Sequence, residues 1–212
     1  MFWGHKGMTG ERQQGPRLVL KTNRMEGLAD DIFGFAMTLL VVNLTIPRGL
    51  PRVQLALTLS GQVNSFYAYA LSFLLLASFW VTHHYQFHYI SRSDNLHVWI
   101  NILMLLFVAL MPFSTSLLAN YSGTELAGLL FGGNLLMLGL FLSFNWIYAT
   151  SRHHLVRHDI KGEVIAAGVR RSFVTPTVAA IVMVVSLFYP GESSYIYIII
   201  PPLLFIPCFG RK

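Results

Sequence analysis

The chain has 212 residues, 54% of them hydrophobic and only 11% charged, against the roughly 25% charged residues of an ordinary water-soluble domain. That composition excludes a soluble globular protein and leaves almost no chain for a separate soluble domain. A net charge of +6 fits either nucleic acid or a membrane surface, and the placement of the charges decides between them.

Six apolar stretches, at residues 28–46, 63–87, 96–118, 125–149, 172–189 and 194–209, approach the roughly 20 residues that a membrane-spanning helix needs. The expectation is an all-α integral membrane bundle of six spanning helices over 28–209, with a cytoplasmic segment at 1–27 and a short tail at 210–212. The first stretch follows polar and basic residues and has no small-residue cleavage site, so it reads as a retained helix and not as a secretory signal. Cys208 is the only cysteine, which excludes an intrachain disulfide.

Lys6, Arg12, Arg17, Lys21 and Arg24 precede the first stretch, and Arg92 lies between the second and third. Arg152, Arg157, Lys161, Arg170 and Arg171 lie between the fourth and fifth, and Arg211 and Lys212 end the chain. If six helices alternate, these basic residues share one side and only Arg48 and Arg52 take the other. By the positive-inside rule both termini are cytoplasmic in a multi-pass plasma-membrane protein. The basic surplus then sets topology, and no nucleic-acid partner is expected.

In chain order, Arg24-Met-Glu-Gly-Leu-Ala-Asp30 opens directly into an apolar run that ends at Ile46-Pro47. Charges at the mouth of a spanning helix cost several kcal/mol each unless they find partners or water, and so suggest function. With Phe35 as zero and about 100° per residue, Leu28 falls near 20°, Asp31 near −40°, Leu39 near 40°, Val42 near −20° and Ile46 near 20°. Thr38 flanks this stripe and Asp30, at about −140°, points away from it toward the rest of the bundle. An apolar stripe with one carboxylate at its inner end suits a pore with a hydrophobic constriction and an electrostatic vestibule. It equally suits lipid contact or helix packing, because nearly every position of a spanning helix is apolar.

Arg24 and Asp30 lie too far apart around the helix to pair with each other. The expectation is that Arg24 stacks on Trp80 and that Asp30 bonds to a histidine or to Asn101. Residues 53–62 read either as an extension of the second helix or as a separate short external helix. Turn-rich Asn120–Thr124 and Pro190–Ser194 suit tight outer connections. The long inner segment 150–171 reads as an amphipathic helix or as inward extensions of its neighbours.

His83-His84-Tyr-Gln-Phe-His88 and His153-His154-Leu-Val-Arg-His158 repeat the spacing His-His-x-x-x-His. Histidines at i and i+4 share a helix face suited to metal, which raises a di-iron membrane oxidase or hydroxylase as the alternative function. The doublets stand at the wrong end for such boxes and a third box is missing, so no metal and no cofactor are expected. An anchor or assembly factor without transport activity is also compatible with the composition. No Walker loop, nucleophile elbow or His-Glu-x-x-His occurs.

Arg24, Asp30, Thr38-Leu-Leu40 and Pro47 resemble the Arg-x-x-x-Phe-Ser-Asp motif, Thr-Leu-Leu helix and proline of the transmembrane protein 175 family of potassium channels, with Leu28 and Ala29 as departures. Ser72-Phe73, Trp80-x-x-His83-His84, Asn101 and Pro112-Phe113 look like that family's landmarks on its second and third helices. The resemblance implies a homotetramer in which the first helix of each copy lines a central path for potassium ions. It implies a constriction at Phe35, where the family usually has isoleucine or leucine, continued by Leu39 and Val42. Thr38 is then the selectivity candidate and Asp31 the vestibule charge. Arg24, Asp30, Trp80, His83, His84 and Asn101 become a cluster that fixes the helix. Nothing matches a Thr-Val-Gly-Tyr-Gly filter.

Overall fold

The computed structural model describes residues 22–46, 49, 51–157 and 159–205. Among them lie seven α-helices: α1 Thr22–Leu39, α2 Arg52–Gly61, α3 Val63–Tyr89, α4 Asn95–Asn120, α5 Glu125–Thr150, α6 Gly162–Ser186 and α7 Ile200–Phe205. Short 3₁₀ turns at Leu40–Asn43, Ser151–His153 and Ser193–Ile199 extend α1 and α5 and precede α7. Among the described residues the architecture is all-helical, with an isolated antiparallel bridge, Ile90 to Val156, between two connections. α3, α4, the α5 unit and α6 are long and apolar enough to cross a membrane; 193–204 is a shorter apolar segment.

The first boundary differs from the expected one, and two readings left open are resolved. The first helix begins at Thr22, so Arg24 and Asp30 stand inside regular helix, and it tightens to 3₁₀ over 40–43. Pro47 in the sequence disfavours helical backbone at Ile46, just beyond that end. Residues 52–61 form a helix of their own, α2, broken from α3 at Gln62. Gln62 donates its side-chain amide to the Thr45 carbonyl at 2.6 Å and so ties that break to the end of the first segment. Among the described residues of the 150–171 segment there is no separate amphipathic helix, and the other reading, extension of a neighbouring helix, holds. α6 starts already at Gly162, because Arg170 and Arg171 interrupt the hydropathy without breaking the helix. Lys6, Arg12, Arg17, Lys21, Arg48, His158, Cys208, Arg211 and Lys212 lie outside the described residues.

The core runs through the bundle and takes up one face of α1. Ala29, Phe33, Ala36 and Leu40 are buried along one face of that segment, at spacings of four, three and four that keep them in one row. They join Leu71, Leu75, Leu76 and Phe79 of α3 and Met104, Leu105, Val108 and Met111 of α4. α5 and α6 pack closely through glycines. An added Cβ at Gly139 would stand 2.8 Å from Pro176 Cδ, and one at Gly168 would collide with the Trp146 indole. Small residues at such crossings are what lets membrane helices approach, since lipid offers no hydrophobic drive between them.

Candidate functional site

The two faces of α1 differ sharply. Opposite the buried row, Phe35 is 71% exposed, Val42 64% and Leu39 50%, and Asp31 and Thr38 are exposed beside them. Among the described residues no other element covers this face. The Thr38 hydroxyl donates to the Phe35 carbonyl of its own helix at 2.8 Å. Its proton is therefore committed to the backbone and its oxygen lone pairs are what the exposed face presents.

On the other side of α1, Asp30 Oδ1 accepts the Trp80 indole N–H at 2.8 Å. Trp80 in turn stacks on His84, ring centroids 5.7 Å apart. This corrects the expected pairing: Trp80 serves Asp30, while Arg24 is exposed and makes no contact with it. Nor does Asp30 reach a histidine or Asn101. His83, buried, shares its Nε2 with Asn101 Oδ1 at 3.1 Å, because Phe33 of α1 occupies the space beside the imidazole, 6.2 Å from its centroid.

Asn101 is the first link of a buried polar chain that crosses four helices. Its amide donates to Asn145 Oδ1 of α5 at 2.7 Å, and Asn145 donates to Gln86 Oε1 of α3 at 2.9 Å. Gln86 completes the circuit by donating to the Leu142 carbonyl and to the Ser172 hydroxyl of α6. Each buried amide in a membrane must find such partners. Gln86, Asn145 and Ser172 did not figure among the expected site residues, although an Asn and a Gln within spanning helices are themselves a signal of interhelical bonding.

Farther along, the two connections at the Tyr89–Asn95 end meet. The Ser91 amide donates to the Leu155 carbonyl at 2.9 Å, flanking the Ile90–Val156 bridge. Asp94 caps α4 by accepting the His97 amide and also accepts Tyr148 Oη at 2.6 Å and His154 Nε2 at 3.0 Å. Partial burial pushes the Asp94 carboxyl up, but the three hydrogen bonds outweigh it and hold the group below the ordinary carboxylate range. The histidine pairs are thus divided among different duties. Among the described residues no three His, Cys, Asp or Glu side chains gather as a metal group.

Four helices long and apolar enough to cross a membrane, packed beside α1 with its outward apolar, threonine-bearing face, define a membrane protein. The family model described as endosomal/lysosomal potassium channel TMEM175 matches residues 24–112. A potassium channel of Streptomyces collinus is 32% identical over 139 residues, covering 64% of this chain and 68% of that protein. One of Chamaesiphon minutus is 29% identical over 150 residues, covering 66% and 74%. The rat endosomal/lysosomal proton channel TMEM175 is 22% identical over 196 residues, 90% of this chain but 39% of that protein. The chain belongs to the TMEM175 family. Its fold is that of the crystal structure of a lysosomal potassium-selective channel TMEM175 homologue from Chamaesiphon minutus, with a TM-score of 0.77 at 24% identity, covering 89% of this chain and 98% of that one.

Proposed function

We propose that four copies of the chain surround a central axis with α1 of each at the centre, and that the assembly conducts potassium passively across the plasma membrane. The observation that carries this reading is the uncovered face of α1. Lipid alone would cover Phe35, Leu39 and Val42, but a carboxylate against lipid costs several kcal/mol, and Asp31 shares that face. A water-filled path accepts the apolar rings, the Thr38 oxygen and the Asp31 charge together. The potassium-channel names of the relatives from Streptomyces collinus and Chamaesiphon minutus supply the ion.

In this arrangement Phe35, Leu39 and Val42 form successive apolar rings, of which Phe35 is the narrowest. Hydrophobic constrictions gate by excluding water. Thr38 offers hydroxyl oxygens between them, and Asp31 concentrates cations at the cytoplasmic mouth. α1 with its 3₁₀ turn and the segment 193–205 join the four long helices as six crossings, both termini inside. Purified protein in liposomes tests the reading: potassium efflux well above sodium efflux is expected, whereas flux no greater than that of empty liposomes overturns it.

A further inference from the structure

The C-terminal end of the α1 segment is held by a side chain that reaches across to α4. Asn43 donates its amide to the Pro112 carbonyl at 3.1 Å. A carbonyl carries two lone pairs, so Pro112 can serve its own helix and Asn43 together. The stretch that carries Asn43 has left α-helical geometry. Leu44 donates its backbone amide to the Val41 carbonyl, three residues back, at 2.9 Å, and Leu39 already has ψ −22°, in the 3₁₀ range. In a 3₁₀ helix three residues complete a full turn, whereas in an α-helix they fall about 60° short of one. The 3₁₀ form therefore stands Asn43 directly over the buried Leu40, and Val42 directly over Leu39 on the exposed face. Had the α-helix continued, Asn43 would be turned about 60° toward the exposed face and away from Pro112. Val41 and Val42 are β-branched, which weakens the α form further.

We infer that Asn43 is a positioning residue for the ion path: its bond to Pro112 holds Leu40–Asn43 in the 3₁₀ form, which stacks Val42 over Leu39 in one line and keeps the Asn43 amide off the path. The inference rests on the channel reading above, in which the exposed face of α1 lines that path. A 3₁₀ helix rises about 2.0 Å per residue against about 1.5 Å in an α-helix. Val42 therefore stands about 6 Å beyond Leu39 instead of about 4.5 Å, and the apolar stretch that an ion must cross is longer by that difference. Hydrophobic constrictions gate by excluding water, and a longer one is harder to wet. Gln62 supports the same geometry just beyond, by donating to the Thr45 carbonyl at 2.6 Å. Thr38 lies before the 3₁₀ turn and is bonded to the Phe35 carbonyl, so its hydroxyl keeps its place whichever form residues 40–43 take.

Two measurements on the full chain test this, in Asn43→Ala, which removes the donor, and in Asn43→Gln, which keeps an amide. Solid-state NMR backbone shifts of residues 40–43 should move from 3₁₀ toward α-helical values in Asn43→Ala and stay near the wild type in Asn43→Gln. Potassium flux from liposomes should rise about fivefold in Asn43→Ala, the shift that one hydrogen bond of ordinary net strength gives a two-state equilibrium. The ratio of potassium to sodium flux should not change, because Thr38 is undisturbed. Asn43→Ser, too short to reach Pro112, should behave as Asn43→Ala does. Shifts that stay 3₁₀ in Asn43→Ala overturn the inference whatever the flux does. Shifts that move without altering flux through a conducting channel leave Asn43 a purely structural bond and overturn it as well. Shifts that move as stated in a protein that passes no potassium support the 3₁₀ clamp and refute the channel.

Discussion

Trp80 donates its indole N–H to Asp30 across 2.8 Å, while the adjacent Asp31 faces outward on the uncovered side of α1. Neighbouring carboxylates on one helix are about 100° apart, so one can orient the helix against α3 while the other faces ions. Asp30→Asn keeps the oxygen but replaces a charge-assisted bond, and should lower expression or assembly. Asp31→Asn should leave the fold intact and reduce outward potassium current more at low than at high salt, because the Debye length falls from about 10 Å at 0.1 M to about 3 Å at 1 M. Currents recorded at both ionic strengths, with size-exclusion profiles of each variant, decide the matter. If Asp30 tunes conductance and Asp31 is needed for assembly, the assigned rotation of α1 is wrong.

Phe35→Ala removes a large ring from the most exposed apolar position of α1. Hydrating that level becomes easier, so currents should rise or lose selectivity against sodium. Unchanged conductance and selectivity would move the gate to Leu39 or Val42.

Asn145→Leu strips the link between Asn101 and Gln86 and leaves both buried amides short of a partner. One interhelical bond in a membrane averages about 0.6 kcal/mol, but an orphaned buried group costs about 1–3 kcal/mol; the second effect dominates. The thermal unfolding midpoint in detergent should drop by several degrees, and more than in Asn120→Leu, whose amide bonds only Ser116 of its own helix at an exposed site. Equal midpoints for the two variants would remove the polar chain as a stabilising element.

The depressed Asp94 carboxyl sets a pH dependence. A carboxylate whose folded pKa lies below its unfolded value of 3.8 contributes stability that is fully present above that value and is lost as pH falls through the folded one. Unfolding midpoints should decline on acidification below the ordinary carboxylate range, and Asp94→Asn should be less stable near neutrality and flatter in acid. A variant that parallels the wild type across the whole range would assign the acid loss to other carboxylates.

Much of α1 was legible because a helix repeats every 3.6 residues. The spacing of Ala29, Phe33, Ala36 and Leu40 against Asp31, Phe35, Thr38 and Leu39 is a local property that the residues carry themselves. Which side chains meet across helices is not local. Trp80 was assigned to Arg24 and is instead on Asp30, because that choice depends on the axial register of α1 against α3, and no periodicity within either helix contains it. The same holds for Gln86 and Asn145, which stand 59 residues apart. The start of α6 at Gly162 was one of two readings left open for residues 150–171. Arg170 and Arg171 lower the hydropathy of a segment whose helix continues through them, since arginine is a good helix former.

The central claim is that the exposed face of α1 lines the ion path. In a Cys208→Ser background, single cysteines at Phe35 and Phe33 place a thiol on the exposed and buried faces of the same helix. A positively charged, water-soluble thiol reagent should block potassium flux from liposomes bearing Phe35→Cys and leave Phe33→Cys unaffected. Flux through Phe35→Cys that persists after complete modification would contradict the account.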